Sequence, residues 1–282
     1  MGLDSPPTEA TSASMPAPAG PGRDTGGPPP VSVRGPTGEL NLAASSFCWS
    51  GCADGRPPDP LPEMGDAAEL EVAFPVPGWR FAATAVPHGQ ECGRHQTVPL
   101  EPTGPVTFRL RPIGAAGDYD ISLFGTSTGA APQRGDLSVT FRWRTRRNGP
   151  NVPPAATASI VAGQPPEVHS FGVEVDVTNL RATPRPGRIL ATAVVTSAGG
   201  APLRIDLQRL DRDCQPEGSV HFVAGEEWGR LATRLGRAPF RYEVTLVIDT
   251  VTYRGTATWP DDVDPECSPC TPLRFAPPLP GL

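Results

Sequence analysis

The chain has 282 residues, enough for about two modest domains, with a formal net charge of −6 and a sequence pI near 5.3. All 24 basic residues are arginine, and 38 prolines with 31 glycines make up about a quarter of the chain, against roughly 12% in average proteins. This composition excludes long helices and a global positive field for nucleic acid or anionic lipid. Apolar runs such as VEVDV and YEVTLVI are far shorter than the roughly 20 residues of a membrane span.

Residues 1–30 hold almost no large apolar side chain, so they cannot bury enough surface to offset ordering entropy. They are expected to be a disordered tether, either a plain spacer or one holding the folded part away from a cell surface. No basic segment followed by an apolar run opens the chain, so it is either cytosolic or already trimmed. The start Gly2-Leu3-Asp4-Ser5, followed by a Ser/Thr/Pro spacer, resembles the mature end of a bacterial lipoprotein just after its lipidated cysteine. That resemblance favours trimming and implies a lipid anchor at a processed N-terminus, with Met1 standing where the cysteine was.

After the tether the chain reads as strands. ELEVAF, WRFAATAV, VTFRLRP, YDISLFG and LSVTFRWRT cluster or alternate β-formers between Gly and Pro. TASIVA, FGVEVDVTNL, ILATAVVTS, LRIDL, SVHFV, FRYEVTLVID and VTYRGTATW do the same at the short, even spacing of β-sandwiches. Gly199-Gly200 is a hairpin turn between two of them. Three Pro-rich breaks, at residues 53–65, 146–155 and 260–282, divide the chain. The predicted organisation is a tether over 1–30, a first sandwich over 31–147, a linker over 148–154, a second sandwich over 155–276 and a Pro-rich tail over 277–282. One short helix is predicted over 226–236, where Trp228, Leu231 and Leu235 recur at helical spacing and Gly236 caps the end.

The two halves repeat weakly. Tyr119 or Tyr242 opens a strand, Ile121 and Leu123 or Val244 and Leu246 alternate after it, and a hairpin closes on Trp143 or Trp259. The segment Gly117-Asp118-Tyr119-Asp120-Ile121-Ser122-Leu123 resembles the tyrosine corner of immunoglobulin-like domains. It departs from antibody domains because no cysteine lies two residues after either tyrosine, so the usual intersheet bridge is absent. With the tether and Phe47-Cys48-Trp49-Ser50-Gly51-Cys52-Ala53-Asp54-Gly55, the chain resembles cell-envelope lipoproteins of high-GC Gram-positive bacteria with tandem immunoglobulin-like domains. The resemblance implies an all-β fold of two antiparallel sandwiches and an extracellular or surface-anchored location. It implies no activity.

Cys48, Cys52, Cys92, Cys214, Cys267 and Cys270 fall three on each side of the linker, so full oxidation requires an odd number of bridges between the halves. The simplest scheme is Cys48 with Cys52, Cys267 with Cys270, and Cys92 with Cys214 across the interface. The alternative pairs Cys92 with Cys48 or Cys52, and Cys214 with Cys267 or Cys270, leaving a thiol in each half. A zinc site from the two close pairs is disfavoured by the long stretch between them. A redox role for Cys267-Ser268-Pro269-Cys270 is disfavoured because prolines flank it and no helix N-terminus is there to lower a thiol pKa.

No catalytic motif stands out. His88 and His95 flank Cys92 on a polar loop, and His169 and His221 sit in no motif. No serine-nucleophile or phosphate-loop pattern is present. Glu69 with Glu71, and Glu226-Glu227, are the carboxylate pairs a hydrolase would need, and Glu69 and Glu71 are expected on the wet face of a strand. Asp261, Asp262, Asp264 and Glu266 suit calcium or, more simply, a solvated loop. Arg142, Arg144, Arg146 and Arg147 form the one concentrated positive patch in sequence, suited to an anionic envelope polymer. Trp79, Trp143 and Trp259 are expected in the core, and Trp49 is either an exposed anchor or a plug at the sandwich end. The reading is a non-catalytic, exported binding or structural module without cofactor or metal, whose partner is a protein or an envelope polymer. The alternative is a secreted hydrolase or carbohydrate-binding accessory protein using acidic and aromatic residues.

Overall fold

The computed structural model describes residues 26–264 and 269–282, so the tether proper, residues 1–25, and the tail-loop positions Glu266 and Cys267 lie outside the described residues. Alternation of apolar and polar residues at period two, the signature of half-buried strands, yields twelve strands before the central Pro-rich break. They are β1 (Val31–Gly35), β2 (Gly38–Leu42), β3 (Ser46–Cys48), β4 (Cys52–Asp54), β5 (Glu63–Asp66), β6 (Leu70–Ala73), β7 (Trp79–Pro87), β8 (Gln96–Pro99), β9 (Glu101–Pro102), β10 (Thr107–Leu110), β11 (Gly117–Ser127) and β12 (Asp136–Thr145). One sheet runs β2-β1-β6-β10-β9; the other runs β4-β3-β12-β11-β7-β8, with β5 joining β12 in parallel. The inward residues Val33, Val72 and Phe108 of the first sheet share one core with Phe81, Ile121, Leu123 and Phe141 of the second. Gly125 stands where the chain needs no side chain. It lies opposite Phe81, whose ring would be 2.4 Å from a Cβ there.

Residues 156–279 supply a second, separate core. Its strands are β13 (Ala155–Ser159), β14 (Ala162–Gln164), β15 (Glu167–His169), β16 (Val173–Thr178), β17 (Ile189–Ala198), β18 (Leu203–Leu210), β19 (Val220–Ala224), β20 (Arg237–Ile248), β21 (Val251–Trp259), β22 (Thr271–Pro272) and β23 (Arg274–Ala276). Nine of them form one hydrogen-bonded path, β22-β13-β16-β19-β18-β17-β20-β21-β23, while β14 and β15 pair with each other. The path serves both layers of a sandwich because β18 is shared: Leu203–Leu207 pair with β17 and Gln208–Leu210 with β19. Val175, Val177 and Phe222 then meet Ala193, Ile205 and Val244 in one cluster. The fold is all-β, built of antiparallel sandwiches, as the sequence predicts.

The corner forms: the Tyr119 hydroxyl donates to the Ala115 carbonyl at 2.6 Å, and Tyr119 pairs across the ladder with Trp143. The second hairpin repeats the first with an offset of two residues, Trp259 facing Phe240 while Tyr242 faces Ala257. Trp79, Trp143 and Trp259 are all buried.

Two expectations need correction. The helix α1 (Glu226–Thr233) exists, and Trp228 and Leu235 pack against the second core as expected, but Leu231 is 45% exposed, the buried residues are Gly229 and Ala232, and the C-cap is Arg234 and not Gly236. Gly229 faces the loop closely, the Ser170 hydroxyl lying 2.1 Å from where a Cβ would be. The Pro-rich end of the chain is not a free tail. Leu279 is buried in the second core, and the carbonyls of Pro280 and Gly281 accept from the backbone and side chain of Arg181.

Replacing Tyr119 by Phe removes the corner bond and leaves the ring in place. The expected outcome is a loss of about 1 kcal/mol, measured from the urea midpoint, with no change in the denaturant slope.

Candidate functional site between the two sandwiches

Charge on the first sandwich is arranged in ladders. Across the outer face of the first sheet, Glu39 pairs with Arg34 at 3.1 Å and Arg34 with Glu71 at 3.4 Å. Arg109 then reaches Glu69 at 3.7 Å and Glu101 at 3.9 Å. Neighbouring strands place these residues opposite one another, Arg34 and Arg109 both flanking Glu71. Glu69 and Glu71, the candidate hydrolase pair, are therefore exposed and held by arginines.

The second sheet does the same with the predicted arginine patch. Arg142 bonds Glu63 at 2.9 Å and Asp120 at 3.3 Å, Arg144 bonds Asp118 at 2.6 Å, and Arg146 pairs with Asp66. Arg147 is exposed and makes no ion pair among the described residues. The run of arginines is thus not a free positive patch, because β5 and β11 bring a carboxylate beside each of the first three. His88 completes the group, its Nδ1 3.1 Å from Asp120. The hydrogen bond from Arg144 holds the Asp118 carboxyl below the usual range, only partly opposed by desolvation. The Ser32 hydroxyl, then Arg34, does the same for Glu39. On the second sandwich, outward-facing Arg241 and Arg254 have no acidic partner among the described residues.

The remaining candidates are structural. Trp49 is half-buried against Phe74 and Trp79, with ring centroids 6.2 and 5.6 Å away, and so closes the end of the first core. Asp262 accepts from the Thr258 peptide and from Arg274, each at 2.8 Å. Among the described residues the acidic run makes no metal cluster.

Cys48 bridges Cys52, and Cys92 bridges Cys214; Cys270 is also disulfide-bonded. As a disulfide sulfur, Cys92 is no nucleophile for His88 or His95. The Cys92–Cys214 bridge joins the two sandwiches, and beside it Arg94 crosses over. Only 8% exposed, Arg94 donates to the carbonyls of Leu180 at 2.7 Å and Arg181 at 3.1 Å and to Glu217 at 3.1 Å. Gln96, also buried, accepts from the Val152 amide at 3.2 Å.

Under this junction lies a cleft of about 530 Å³ with walls from both sandwiches. One wall presents Thr84 and Thr97, opposite each other on β7 and β8 with hydroxyls 2.8 Å apart. The other presents Asp176 and His221, opposite each other on β16 and β19, with His221 Nδ1 2.6 Å from the carboxylate. Val220 and Phe222 point into the core, so His221 points outward, and its burial comes from the junction above it. Asn179, at a positive φ of 58°, and Gln215 also line it, with His95, Thr178, Arg212 and Ser219.

Sequence reasoning missed Arg94, Asp176, Asn179, Gln215 and His221 as a group. The only available signal was the outward phase of His221 within SVHFV, which is shared by any surface residue.

No protein-family model matches the chain, and no curated protein matches it. A crystal structure of the chicken CNTN1 FN1–FN3 domains is similar to it at 10% sequence identity, covering 80% of this chain and 86% of that chain with a TM-score of 0.20.

Two outcomes follow from the charges. Arg94→Met leaves two backbone carbonyls and a carboxylate without their donor and costs about 2–3 kcal/mol, whereas Arg146→Met on the exposed ladder stays within about 0.5 kcal/mol; urea denaturation of both variants measures the difference. Asp118 titrates lower in the folded chain than in the unfolded one, so its contribution is present above the unfolded carboxylate range and is lost as pH falls through the folded value. Asp118→Asn is expected to flatten the decline of the urea midpoint below about pH 4.

Proposed function

We propose that the protein is a non-catalytic binding or structural module of the bacterial cell envelope, exported and held at the cell surface by its N-terminal tether. Its partner is a protein or an envelope polymer. The observation that carries this reading is the fixed junction: a disulfide and a buried arginine both cross between the sandwiches. By the chain-entropy relation, a bridge closing 122 residues contributes about 5 kcal/mol, whereas the Cys48–Cys52 bridge, separated by 4 residues, contributes about 2. Of these two bridges, the one between the sandwiches restricts the unfolded chain more. Such a joint suits surfaces presented at a constant angle and does not suit a clamp that opens and closes.

Two further features support it. Disulfides persist in oxidising compartments, which favours export. The carboxylates of Glu69 and Glu71, a pair a hydrolase would need, are engaged in ion pairs, and Cys92 is a disulfide sulfur.

Fractionation of native cells combined with disulfide mapping tests the proposal. The expected result is protein in the envelope fraction with Cys92 linked to Cys214. Recovery from the cytosol with both thiols reduced would overturn it.

A further inference from the structure

Positive charge without a partner collects at the end of the second sandwich remote from the junction. Strand β19 leaves the junction at Val220 and His221 and runs to Ala224, so α1, which follows it, lies at the far end. There β17 ends opposite the start of β20, Ala198 facing Arg237. Arg230, Arg234, Arg237 and Arg241 are all exposed at this end, and none makes an ion pair among the described residues. The neighbouring turn adds no opposing charge, because residues 189–203 hold no acid. It packs directly on the end of the helix, where a Cβ on Gly200 would lie 2.4 Å from the Leu235 carbonyl. The acids nearest in the chain are Glu226 and Glu227, on the first turn of α1, and Glu243, two residues beyond Arg241. Asp262 is held by Arg274 at 2.8 Å.

The spacing of these arginines gives the shape of a partner. Arg230 and Arg234 stand one helical turn apart, about 6 Å along the axis. A bulge brings the next two together: Arg237 lies opposite Ala198 and Arg241 opposite Thr196, so both leave the same face of the sheet about 7 Å apart. Arg241 then opens into a groove of about 380 Å³ whose walls include Thr196, Thr258 and Arg274. A line of cations that runs from a helix end into a groove suits a chain. A lipid surface instead needs a plane and an apolar face to insert, and Leu231 is the one large apolar side chain that α1 exposes. Guanidinium forks match phosphate bidentately and stay charged at any physiological pH, while the Thr196 and Thr258 hydroxyls suit a polyol between the phosphates. We infer that this line of arginines binds a linear phosphodiester polymer, laid along α1 and β20 and into the groove.

This inference deepens the reading as a binding module and rests on it. Its test titrates the intact disulfide-bonded protein with poly(glycerol phosphate), and separately with dextran, polygalacturonate and phosphatidylglycerol vesicles. Binding to poly(glycerol phosphate) is expected, with none to dextran. A fourfold rise in salt is expected to weaken it roughly 50-fold, the dependence of about four charges on a single-stranded polyanion. The double variant Arg237→Gln, Arg241→Gln is expected to bind about tenfold or more weakly and to show about half the salt slope. The double variant Arg142→Gln, Arg144→Gln loses the same net charge from the neutralised ladder of the first sandwich and is expected to bind as the parent does. Should the first variant fail to fold, Arg230→Gln with Arg234→Gln asks the same question on the exposed side of the helix.

Absence of binding to poly(glycerol phosphate) would overturn the inference, as would an equal loss in both double variants, which would make net charge and not this line of arginines responsible. Tighter binding of polygalacturonate, or binding of the vesicles in place of the polymer, would overturn it in favour of a polycarboxylate or a membrane surface. Failure of this kind in protein shown to be exported with its junction bridge formed removes the ligand and leaves the module. Polymer binding by a protein found reduced in the cytosol removes the envelope reading and leaves the site.

Discussion

A buried arginine that crosses from one sandwich to the other sets the arrangement of this molecule. Taking a guanidinium out of water costs several kcal/mol, and Arg94 recovers that cost only because two successive carbonyls, of Leu180 and Arg181, and the Glu217 carboxylate meet its fork. Those acceptors are themselves held in place. Leu180 donates its own amide to the Gly218 carbonyl, and Arg181 donates to Pro280 near the chain's end. Gly218 sits at a φ of +76°, where a Cβ would lie 2.4 Å from the Leu180 carbonyl and 2.5 Å from Arg94 Nη1. The arginine, the glycine and the returning C-terminal segment thus depend on one another, and the Cys92–Cys214 bridge closes the same knot two residues from Arg94.

The exclusive use of arginine acquires a physical role on the first sandwich as well. A guanidinium presents several donors in a rigid fork, so one residue can bridge carboxylates on two neighbouring strands. Arg142 does so between Glu63 and Asp120, and Arg34 between Glu39 and Glu71. Lysine's single ammonium would hold such ladders less well. Each exposed pair is worth little by itself. Their joint effect is to leave both outer faces of that sandwich patterned with alternating charge and little net field, which argues against an anionic polymer as the ligand of that surface.

The sequence showed the fold because the information was local. Period-two alternation in FRYEVTLVI and DLSVTFRW specifies which residues face the core, Gly-Gly specifies a turn, and the odd number of cysteines on each side of the linker requires at least one bridge between the halves once all are oxidised. The corner was legible from Tyr119 because its partner, Ala115, is four residues away. What stayed hidden was non-local. The acids that neutralise Arg142, Arg144 and Arg146 come from strands up to 80 residues distant. Leu231 reads as a core position by helical spacing, yet it is exposed while Trp228, Ala232 and Leu235 take the core-facing side. His221 and Thr84 occupy outward strand positions, which in any single sandwich would face water.

The cleft is therefore a property of the pair of sandwiches and of neither alone. Separated, each would expose an ordinary wet strand face, with Thr84 and Thr97 on one and Asp176 and His221 on the other, all free to bond to solvent. Bringing the faces together buries His221 and the Asn179 amide while leaving them a polar space to share. Burying unpartnered acceptors is unfavourable, so this lining works against the union that the disulfide and Arg94 enforce.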